Sequence, residues 1–375
     1  MNAISRHAVR LLACAALLFA PACATVGSWM PGGPERIPSK LSADEVPHAL
    51  EEAEKELAKG DSERALEWMR AATVATGLPA DTRERVRVML DRASEQRVRD
   101  LSKPDSDPED LGDLVGMDLP RQIAVSAGLE AARRMLADGE PMDAFHLVKK
   151  IDTKYPLHHE RQAVGVFLGD LGLELSEDHS KFLFFYDRQE DAAEVLEYLI
   201  LNYPRAPRCD EAYQTLARIY ADDREWSQAI DRLEKLVLNH PESALRPQSE
   251  ATIPRFRLSS IDSPEYDRGA LDRARRELEA WLRNWPSRPG VPPELEARVR
   301  LDLADSLRRL ADSDRGIASF YVRVGNEVGA KWHAHRAVME ARQAGDAERV
   351  EEAEEILREL GVNGVGPPPP SGPMP

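Results

Sequence analysis

The stretch "LVLNHP" (Leu236–Pro241) ends an apolar run with a polar residue, a ring and a proline, and the chain writes it in similar form three more times. The related stretches are "IDTKYP" (Ile151–Pro156), "LILNYP" (Leu199–Pro204) and "WLRNWP" (Trp281–Pro286). An alanine stands twelve residues before each proline, and apolar residues follow this alanine at the fourth and seventh positions. These spacings place the three side chains on one helical face. Proline ends the helix, because the residue before it is pushed out of the α region. Each stretch is therefore predicted to end the second helix of a helix pair.

The alanines predict close contact between the two helices of a pair. Since alanine carries only a methyl group, it lets one helix lie against its neighbour at short range. The four alanines are Ala144, Ala192, Ala229 and Ala274. Two more copies of the pattern lack the proline but keep the small residues in phase. Their positions are Ala53, Ala65, Met69 and Ala72 in the first, and Ile317, Ala318, Tyr321, Ala330, Ala334 and Ala337 in the last.

The copy over residues 210–243 is the most regular, with Tyr213, Leu216, Ala217 and Tyr220 on its first helix. It resembles the tetratricopeptide repeat, a helix–turn–helix unit of about 34 residues. The resemblance implies an all-α fold, a right-handed helical solenoid of tetratricopeptide type. Such solenoids work by presenting extended surfaces to other proteins.

Composition and charge narrow the classes of function. The chain has 375 residues, 42% of them hydrophobic and 31% charged, and its formal net charge is −16. An acidic surface repels phosphate backbones, so nucleic acid is an unlikely partner. The three cysteines are Cys14, Cys23 and Cys209, and Cys209 alone lies within the predicted fold. We therefore expect no intrachain disulfide, and the stability of the fold must come from helix packing.

The N-terminus has the features of an export signal. Arg6 and Arg10 precede an apolar run too short to span a bilayer comfortably, and Cys23 follows it. The run Phe19–Cys23 resembles the lipobox of bacterial lipoproteins, which implies lipidation of Cys23. By resemblance to Gram-negative sorting, Ala24 after the cysteine implies the outer membrane, with the protein facing the periplasm. The alternative is ordinary signal cleavage near Ala22 or Ala24, without a lipid.

The organisation predicted from these patterns has seven segments. They are a lipoprotein-type signal peptide (1–22), a lipid-anchored flexible tether (23–43), an N-terminal helical repeat region (44–100), a linker (101–120), a tetratricopeptide repeat array (121–345), a capping helix (346–360) and a disordered Pro/Gly-rich tail (361–375).

Motifs for catalysis are missing from the sequence. It contains no G-x-S-x-G, H-E-x-x-H, P-loop or paired C-x-x-C pattern, so we expect neither an enzyme nor a cofactor. The triplet "HHE" (His158–Glu160) follows Pro156 and is interpreted as a solvated turn rather than a metal site. The apolar run Phe182–Phe185 is interpreted as core.

One set of residues predicts a binding site. Twenty-three residues before Pro156, Pro204 and Pro241 stand Arg133, Lys181 and Arg218, respectively. In tetratricopeptide repeats this position lies on the first helix and faces the groove. Three basic groups in line would hold a carboxylate-bearing or extended peptide. The alternative is that they are solvated residues in ordinary i,i+4 ion pairs.

A family resemblance covers about half of the chain. It rests on "AAEVLEYLILNYPRAPRCDEAYQTLARIY", "AIDRLEKLVLNHPESA" and "ADSDRGIASFYVRVGNEVGAKWHAHRAV". From about Glu190 to Leu360 the chain resembles the lipoprotein component of the outer-membrane β-barrel assembly machinery, the BamD-like family. The resemblance implies a non-enzymatic scaffold whose partners are the barrel-assembly pore protein and outer-membrane protein substrates. The alternative is another cell-envelope adaptor lipoprotein, a scaffold for the cell wall or for a secretion system.

Overall fold

The structure, a computed structural model, describes residues 36–177, 188–261, 267–286 and 288–362. These residues form fifteen α-helices and no β-strand. The helices are α1 (Val46–Lys59), α2 (Ser62–Thr73), α3 (Ala80–Leu101), α4 (Pro108–Asp113), α5 (Arg121–Ala137), α6 (Pro141–Lys154), α7 (Arg161–Glu177), α8 (Arg188–Asn202), α9 (Cys209–Asp222), α10 (Trp226–Asn239), α11 (Arg246–Ser259), α12 (Arg268–Asn284), α13 (Pro293–Arg323), α14 (Glu327–Gln343) and α15 (Ala347–Glu359). The chain divides into two compact units, unit 1 up to Arg97 and unit 2 from Val98 onward.

Unit 2 is built from stacked helix pairs. The pairs are α5–α6, α7–α8, α9–α10, α11–α12 and α13–α14, and α15 packs on α14. Stacking between pairs joins α9 to both α7 and α8, α10 to α11, and α13 to both α11 and α12. In unit 1, α1 and α2 form one further pair. The prediction of an all-α array of tetratricopeptide type is confirmed.

The alanines of the repeated pattern lie where the sequence predicts. Ala144, Ala192, Ala229 and Ala274 each have no exposed surface. In the two copies without proline, Ala53, Ala65, Ala318 and Ala330 are likewise fully buried. The apolar residues that follow them on the same helical face, such as Leu233 and Leu236 on α10, are also buried. The small side chains therefore sit at the contact between helices, as the pattern requires.

The residue before each proline closes its helix. Tyr155, Tyr203, His240 and Trp285 each donate their backbone N–H to the carbonyl four residues earlier, at 2.8–2.9 Å. This bond satisfies one of the carbonyls left free at a helix C-terminus. The rings then lie against neighbouring groups: Tyr203 is 5% exposed, and Trp285 donates Nε1–H to Glu250 at 2.7 Å. The repeated phrase is a helix stop with a ring that contacts the adjacent structure.

The two helices of a pair are joined by one recurring turn. In four of the pairs, and again between α14 and α15, an N–H two or three residues past the last helical residue bonds to the carbonyl five residues back, as between Asp61 and Glu56 at 2.9 Å and between Glu225 and Tyr220 at 2.7 Å. This is the Schellman arrangement, which needs a left-handed residue just before the donor. Glycine fills that position at Gly60, Gly139, Gly325 and Gly345. In the α9–α10 turn it is Arg224, at φ 61°.

Residues 101–120, predicted to be a linker, contain a packed helix. Asp107 caps the first turn of α4, and Pro108 occupies its first position, where a missing N–H costs nothing. Leu111 and Leu114 are buried, and α4 packs against α5. The many charged residues of this segment conceal a short apolar stripe at helical spacing. The segment belongs to the packing of unit 2.

Several predictions fall outside the described residues. These are the signal peptide, Cys23 and its lipid, most of the tether, the apolar run Phe182–Phe185, and the tail beyond Val362. Of the helices within the described ranges, none combines the length and the apolar character needed to cross a bilayer.

Candidate functional site

The first helices of successive pairs carry the predicted basic residues. Arg133 lies on α5 with its side chain 51% exposed, and Arg218 lies on α9 with its side chain 45% exposed. Lys181 lies outside the described residues. Among the hydrogen bonds and ion pairs of the described ranges, none joins Arg133 to Arg218. The structure therefore places two of the three residues on first helices without bringing them into contact.

Each of these arginines has an acidic neighbour on its own helix. Arg133 Nη1 lies 3.8 Å from Glu130, and Arg218 Nη1 lies 3.8 Å from Asp222. These are i,i+3 and i,i+4 pairs on half-exposed side chains, and such pairs contribute a few tenths of a kcal/mol, about 0.3–0.5 kcal/mol. A peptide carboxylate competing for either guanidinium would displace a weak local pair.

The face of α9 that carries Arg218 also takes part in an ion-pair bridge between first helices, because Glu211 stands seven residues before Arg218. Arg208, at the start of α9, reaches Asp170 on α7 at 2.8 Å and Glu211 on its own helix at 2.9 Å. The hydrogen bonds that Arg208 donates to Glu211, and then to Asp170, raise the pKa of Arg208. Acidic and basic groups thus alternate on this face, so it suits a partner segment with both signs of charge better than a purely acidic one.

Arginines on first helices also bind the C-terminal ends of earlier helices. Arg134 on α5 donates to the carbonyl of Leu101 at 2.9 Å, Arg218 on α9 donates to Ser176 at 3.3 Å, and Arg309 on α13 donates to Leu258 at 2.9 Å. The last carbonyls of a helix lack partners within it and carry partial negative charge. In each case an arginine of a later helix supplies the missing donor. Arg218 therefore has a structural task in addition to its predicted role in binding.

A largely buried carboxylate, with 12% of its side chain exposed, joins the first two pairs of unit 2, and no sequence pattern indicates it. Asp152, near the end of α6, accepts hydrogen bonds from His158 Nε2 at 2.9 Å, from Tyr198 at 2.8 Å and from Tyr203 at 2.5 Å. Arg161 stacks over the Tyr203 ring, 4.3 Å from its centroid. We call Asp152, His158, Tyr198 and Tyr203 the Asp152 junction.

Burial shifts the ionisation of the Asp152 junction. Loss of solvent, then the bond to Asp152, raises the pKa of both tyrosines. Loss of solvent also lowers the pKa of His158, against the opposing pull of Asp152. The interpretation of His158–Glu160 as a solvated turn is wrong for His158, whose side chain has no exposed surface. His158 is a structural residue of the junction, because its buried ring binds Asp152.

Unit 1 contains an open cavity of about 330 Å³ between α1 and α3. Leu50, Val88 and Met89 provide apolar surface, and the Glu54–Arg92 pair at 3.8 Å borders it. This volume is at the lower end of the range of ligand pockets, about 300–1,000 Å³. An apolar side chain of a bound peptide would fit, but the charges of both signs around it favour no particular class of ligand.

The turn between α13 and α14 exposes apolar side chains. Phe320 is 51% exposed, Val324 56% and Val328 78%. We call these three residues the apolar turn. They lie within one short segment at the end of α13 and the start of α14, unlike single exposed residues elsewhere, such as Val74. Clustered apolar exposure marks contact with another molecule more often than single residues do.

Among the described residues, no group of three or more His, Cys, Asp or Glu side chains is placed to hold a metal ion. The cysteine found there, Cys209, is buried, and its Sγ contacts the carbonyl of Tyr203 at 3.2 Å. Burial raises the pKa of the Cys209 thiol to about 11. Such a thiol stays protonated and is a weak nucleophile at neutral pH.

The fold defines a class of protein, the helical-repeat proteins of tetratricopeptide type, which present long faces to other proteins. No protein-family model and no curated protein matches the chain.

Three solved structures with a detectable likeness are repeat proteins. One is a crystal structure of nearly identical TPR-like repeats from Podosopora anserina, 16% identical, covering 65% of this chain and 97% of that one, with a TM-score of 0.31. The TPR domain of P58(IPK) is 15% identical and covers 84% of this chain and 99% of that one, with a TM-score of 0.20. A circular tandem repeat protein is 15% identical and covers 84% of this chain and 88% of that one, with a TM-score of 0.20. None of these likenesses carries information about what this chain binds.

Proposed function

We propose that the protein is a non-enzymatic scaffold of the outer membrane, anchored by a lipid at Cys23 and facing the periplasm, where it takes part in the assembly of β-barrel proteins. Its partners are then the barrel-assembly pore protein and outer-membrane protein substrates. The resemblance of Glu190–Leu360 to the BamD-like family supports the proposal, as does the lipobox-like run ending at Cys23.

The observation that carries the proposal is the apolar turn. It lies within the region of resemblance, on a rigid helix pair whose inner residues Ala318, Ala334 and Val338 are buried. A surface that exposes a phenylalanine and two valines on a fixed backbone provides an anchor that a partner protein can cover at little entropic cost. The face of the first helices, with Arg133 and Arg218, adds a second surface for an extended segment.

Another cell-envelope adaptor remains the second candidate, a scaffold for the cell wall or a secretion system. It uses the same repeats and the same anchor. The two candidates differ in the partner recovered, so capture of that partner decides between them.

The experiment is affinity capture of the full chain from detergent-solubilised envelopes. We expect the barrel-assembly pore protein among the recovered proteins. Recovery of cell-wall or secretion components without the pore protein would overturn the proposal in favour of the second candidate.

A pair of variants tests the surface. Val328→Asp places a charge on the apolar turn and is expected to reduce recovery of the partner at least tenfold. Val74→Asp is the matched control, because Val74 is also more than half exposed but lies in unit 1 and does not line the cavity there. Equal recovery by the two variants would show that the apolar turn is not the contact. The double variant Arg133→Glu with Arg218→Glu tests the face of the first helices, again by the amount of partner recovered.

A further inference from the structure

A fully buried carboxylate lies where α12, α13 and α14 meet. The Asp314 side chain has no exposed surface. Its Oδ1 lies 2.6 Å from His333 Nδ1, and its Oδ2 accepts from Arg268 and lies 3.5 Å from Arg336 Nε. Tyr321 stacks on the His333 ring with 5.6 Å between centroids, which holds the imidazole in place. Asp314 therefore has donors from three sides, as a buried ionised carboxylate requires.

Glu340, the second carboxylate of this cluster, is less well supplied. Its side chain is 12% exposed, and Oε1 lies 3.2 Å from Arg268 Nη2 and 3.3 Å from Arg336 Nη2. Its Oε2 is buried and has no donor. Arg268 Nη2 contacts Glu340 Oε1 and Asp314 Oδ2 at once, so the two carboxyl groups are close neighbours.

Two observations therefore point to a proton on Glu340. An ionised carboxylate would leave Oε2 buried and unpaired, which costs more free energy for a charged group than for a neutral one. Two neighbouring carboxylates in one buried site also disfavour double ionisation. A protonated Oε2 becomes a donor, and the adjacent Asp314 is an acceptor.

We propose that Glu340 and Asp314 share one proton, held on Glu340, and that this proton closes the junction between α12 and the α13–α14 pair. The junction is then a proton-dependent joint: it is closed at neutral and acidic pH and loosens as the pH becomes alkaline.

The ionisation behaviour of the two groups agrees with this geometry. Burial, followed by the negative charge of Asp314, raises the pKa of Glu340 to about 8, although Arg268 and Arg336 act in the other direction. Burial also acts to raise the pKa of Asp314, but hydrogen bonds from His333 and Arg268 and the charges of the two arginines outweigh it, so this pKa is lowered.

The other charged groups around the joint are paired with one another. They are Asp272 on α12, which pairs with Arg275, Asp312 and Arg315 on α13, Arg342 on α14, and Asp346 (the N-cap of α15), Arg349, Glu352 and Glu354. Arg349 binds Asp312 at 3.0 Å, Glu352 pairs with Arg315, and Glu354 binds Arg342 at 2.6 Å. These pairs leave Arg268, Arg336 and His333 to face the two central carboxyl groups.

The direction of the pH effect follows from the position of the proton. The pKa of Glu340 in the folded protein lies above its ordinary value of 4.5. The folded state thus retains a proton that the unfolded state loses as the pH rises through that ordinary value. Stability from this group is full below 4.5 and declines as the pH rises towards 8, where the folded protein also loses the proton.

The direct test is titration of the Glu340 carboxyl carbon by NMR in the full chain, assigned by its absence in Glu340→Gln. We expect a midpoint near 8 instead of the ordinary 4.5. Asp314→Asn removes the neighbouring charge and is expected to lower this midpoint by at least one unit, about a tenfold change in proton affinity. Glu355→Gln, an exposed site on α15, is the control and leaves the midpoint unchanged.

If Glu340→Gln fails to fold, the wild-type chain alone decides. Two samples are prepared, one with carbon-13 in the glutamate carboxyl groups and one with carbon-13 in the aspartate carboxyl groups. Their infrared spectra at neutral pH report which residue type holds a buried proton. A protonated-carboxyl band that shifts with labelled glutamate and disappears at alkaline pH supports the joint. The absence of that band, or an NMR midpoint near 4.5, overturns it.

Discussion

At the scale of single residues, Arg224 departs from the pattern that surrounds it. The corresponding position in the other Schellman turns is glycine, at Gly60, Gly139, Gly325 and Gly345, while Arg224 adopts the same left-handed conformation with a side chain. A Cβ in this region meets the following carbonyl oxygen, which costs about 1–2 kcal/mol. Arg224 is exposed, so packing of its side chain does not offset that cost.

We predict that Arg224→Gly stabilises the protein by about 0.5–1 kcal/mol, the relief of strain less the greater entropy of a glycine in the unfolded chain. Urea unfolding at constant pH measures the change. Arg224→Ala is the control, since it removes the guanidinium but keeps the Cβ, and it is expected to give no such gain. An equal gain for alanine would trace the effect to the charge instead of the backbone.

The sequence shows the glycine turns but not the residues that acquire roles through distant contacts. Gly139 and Gly325 stand at the ends of apolar periodic segments, where a helix stop is expected. Asp152 gives no such signal, because its partners Tyr198 and Tyr203 lie on another helix pair. The sequence around Glu340 predicts an exposed acidic residue on a charged helix, whereas the fold places Glu340 beside Asp314.

At the scale of helices, the Asp152 junction fastens one pair to the next. Asp152 belongs to α6, whereas Tyr198 lies on α8 and Tyr203 caps it. Since α6 and α7 themselves touch only lightly, these side-chain bonds carry much of the attachment. Hydrogen bonds to a charged acceptor contribute about 1.5–3 kcal/mol each, more than neutral ones.

We predict that Asp152→Asn lowers the free energy of unfolding by about 2–4 kcal/mol, because the amide presents one acceptor and two donors to a site built of donors. Chemical denaturation measures the loss. Asp231→Asn, a half-exposed aspartate on α10, is the matched control and is expected to change stability by less than about 0.5 kcal/mol. A loss as small as that of the control would show that the junction is already solvated.

Helix pairs were predictable from the sequence, whereas two elements were not. The alanine and proline spacing locates α5 through α12 because the pattern repeats in phase. The short α4 was interpreted as linker, since its apolar residues stand among acids and prolines. The long α13 meets neither a repeat proline nor a glycine turn before Gly325, and so it continues through 31 residues. Propensity sets the length of a helix only where nothing stops it.

At the scale of the whole molecule, stability depends on neighbouring repeats. Each helix pair buries its apolar face against the next, so the last pair needs a cover. In unit 2 that cover is α15, whose Ala353 and Leu357 are buried against Ala334 and Val338 of α14. The outer side of α15 is polar, with Glu351 and Glu355 exposed.

We predict that a chain ending at Ala344 is less stable by about 3 kcal/mol or more, since burying one leucine alone contributes about 1.5–3 kcal/mol. The uncovered α14 is also expected to cause association that increases with protein concentration. Thermal unfolding and analytical ultracentrifugation measure the two effects. A chain ending at Val362 keeps α15 and is expected to match the full-length protein. If both truncated chains behave identically, α15 does not cap the array.

The three glycines of α7 bear on how the array comes to fold. Gly165 and Gly172 lie so close to their neighbours that an added Cβ would fall 2.7 Å from Ala206 and 2.6 Å from Leu196, and Gly169 lies on the same helix. Each glycine weakens an isolated helix by about 0.8–1.0 kcal/mol relative to alanine. As a free peptide, α7 is therefore a poor nucleus, and it gains its helical form by docking onto α8 and α9. Folding of unit 2 should begin at a pair such as α9–α10 and spread towards α7.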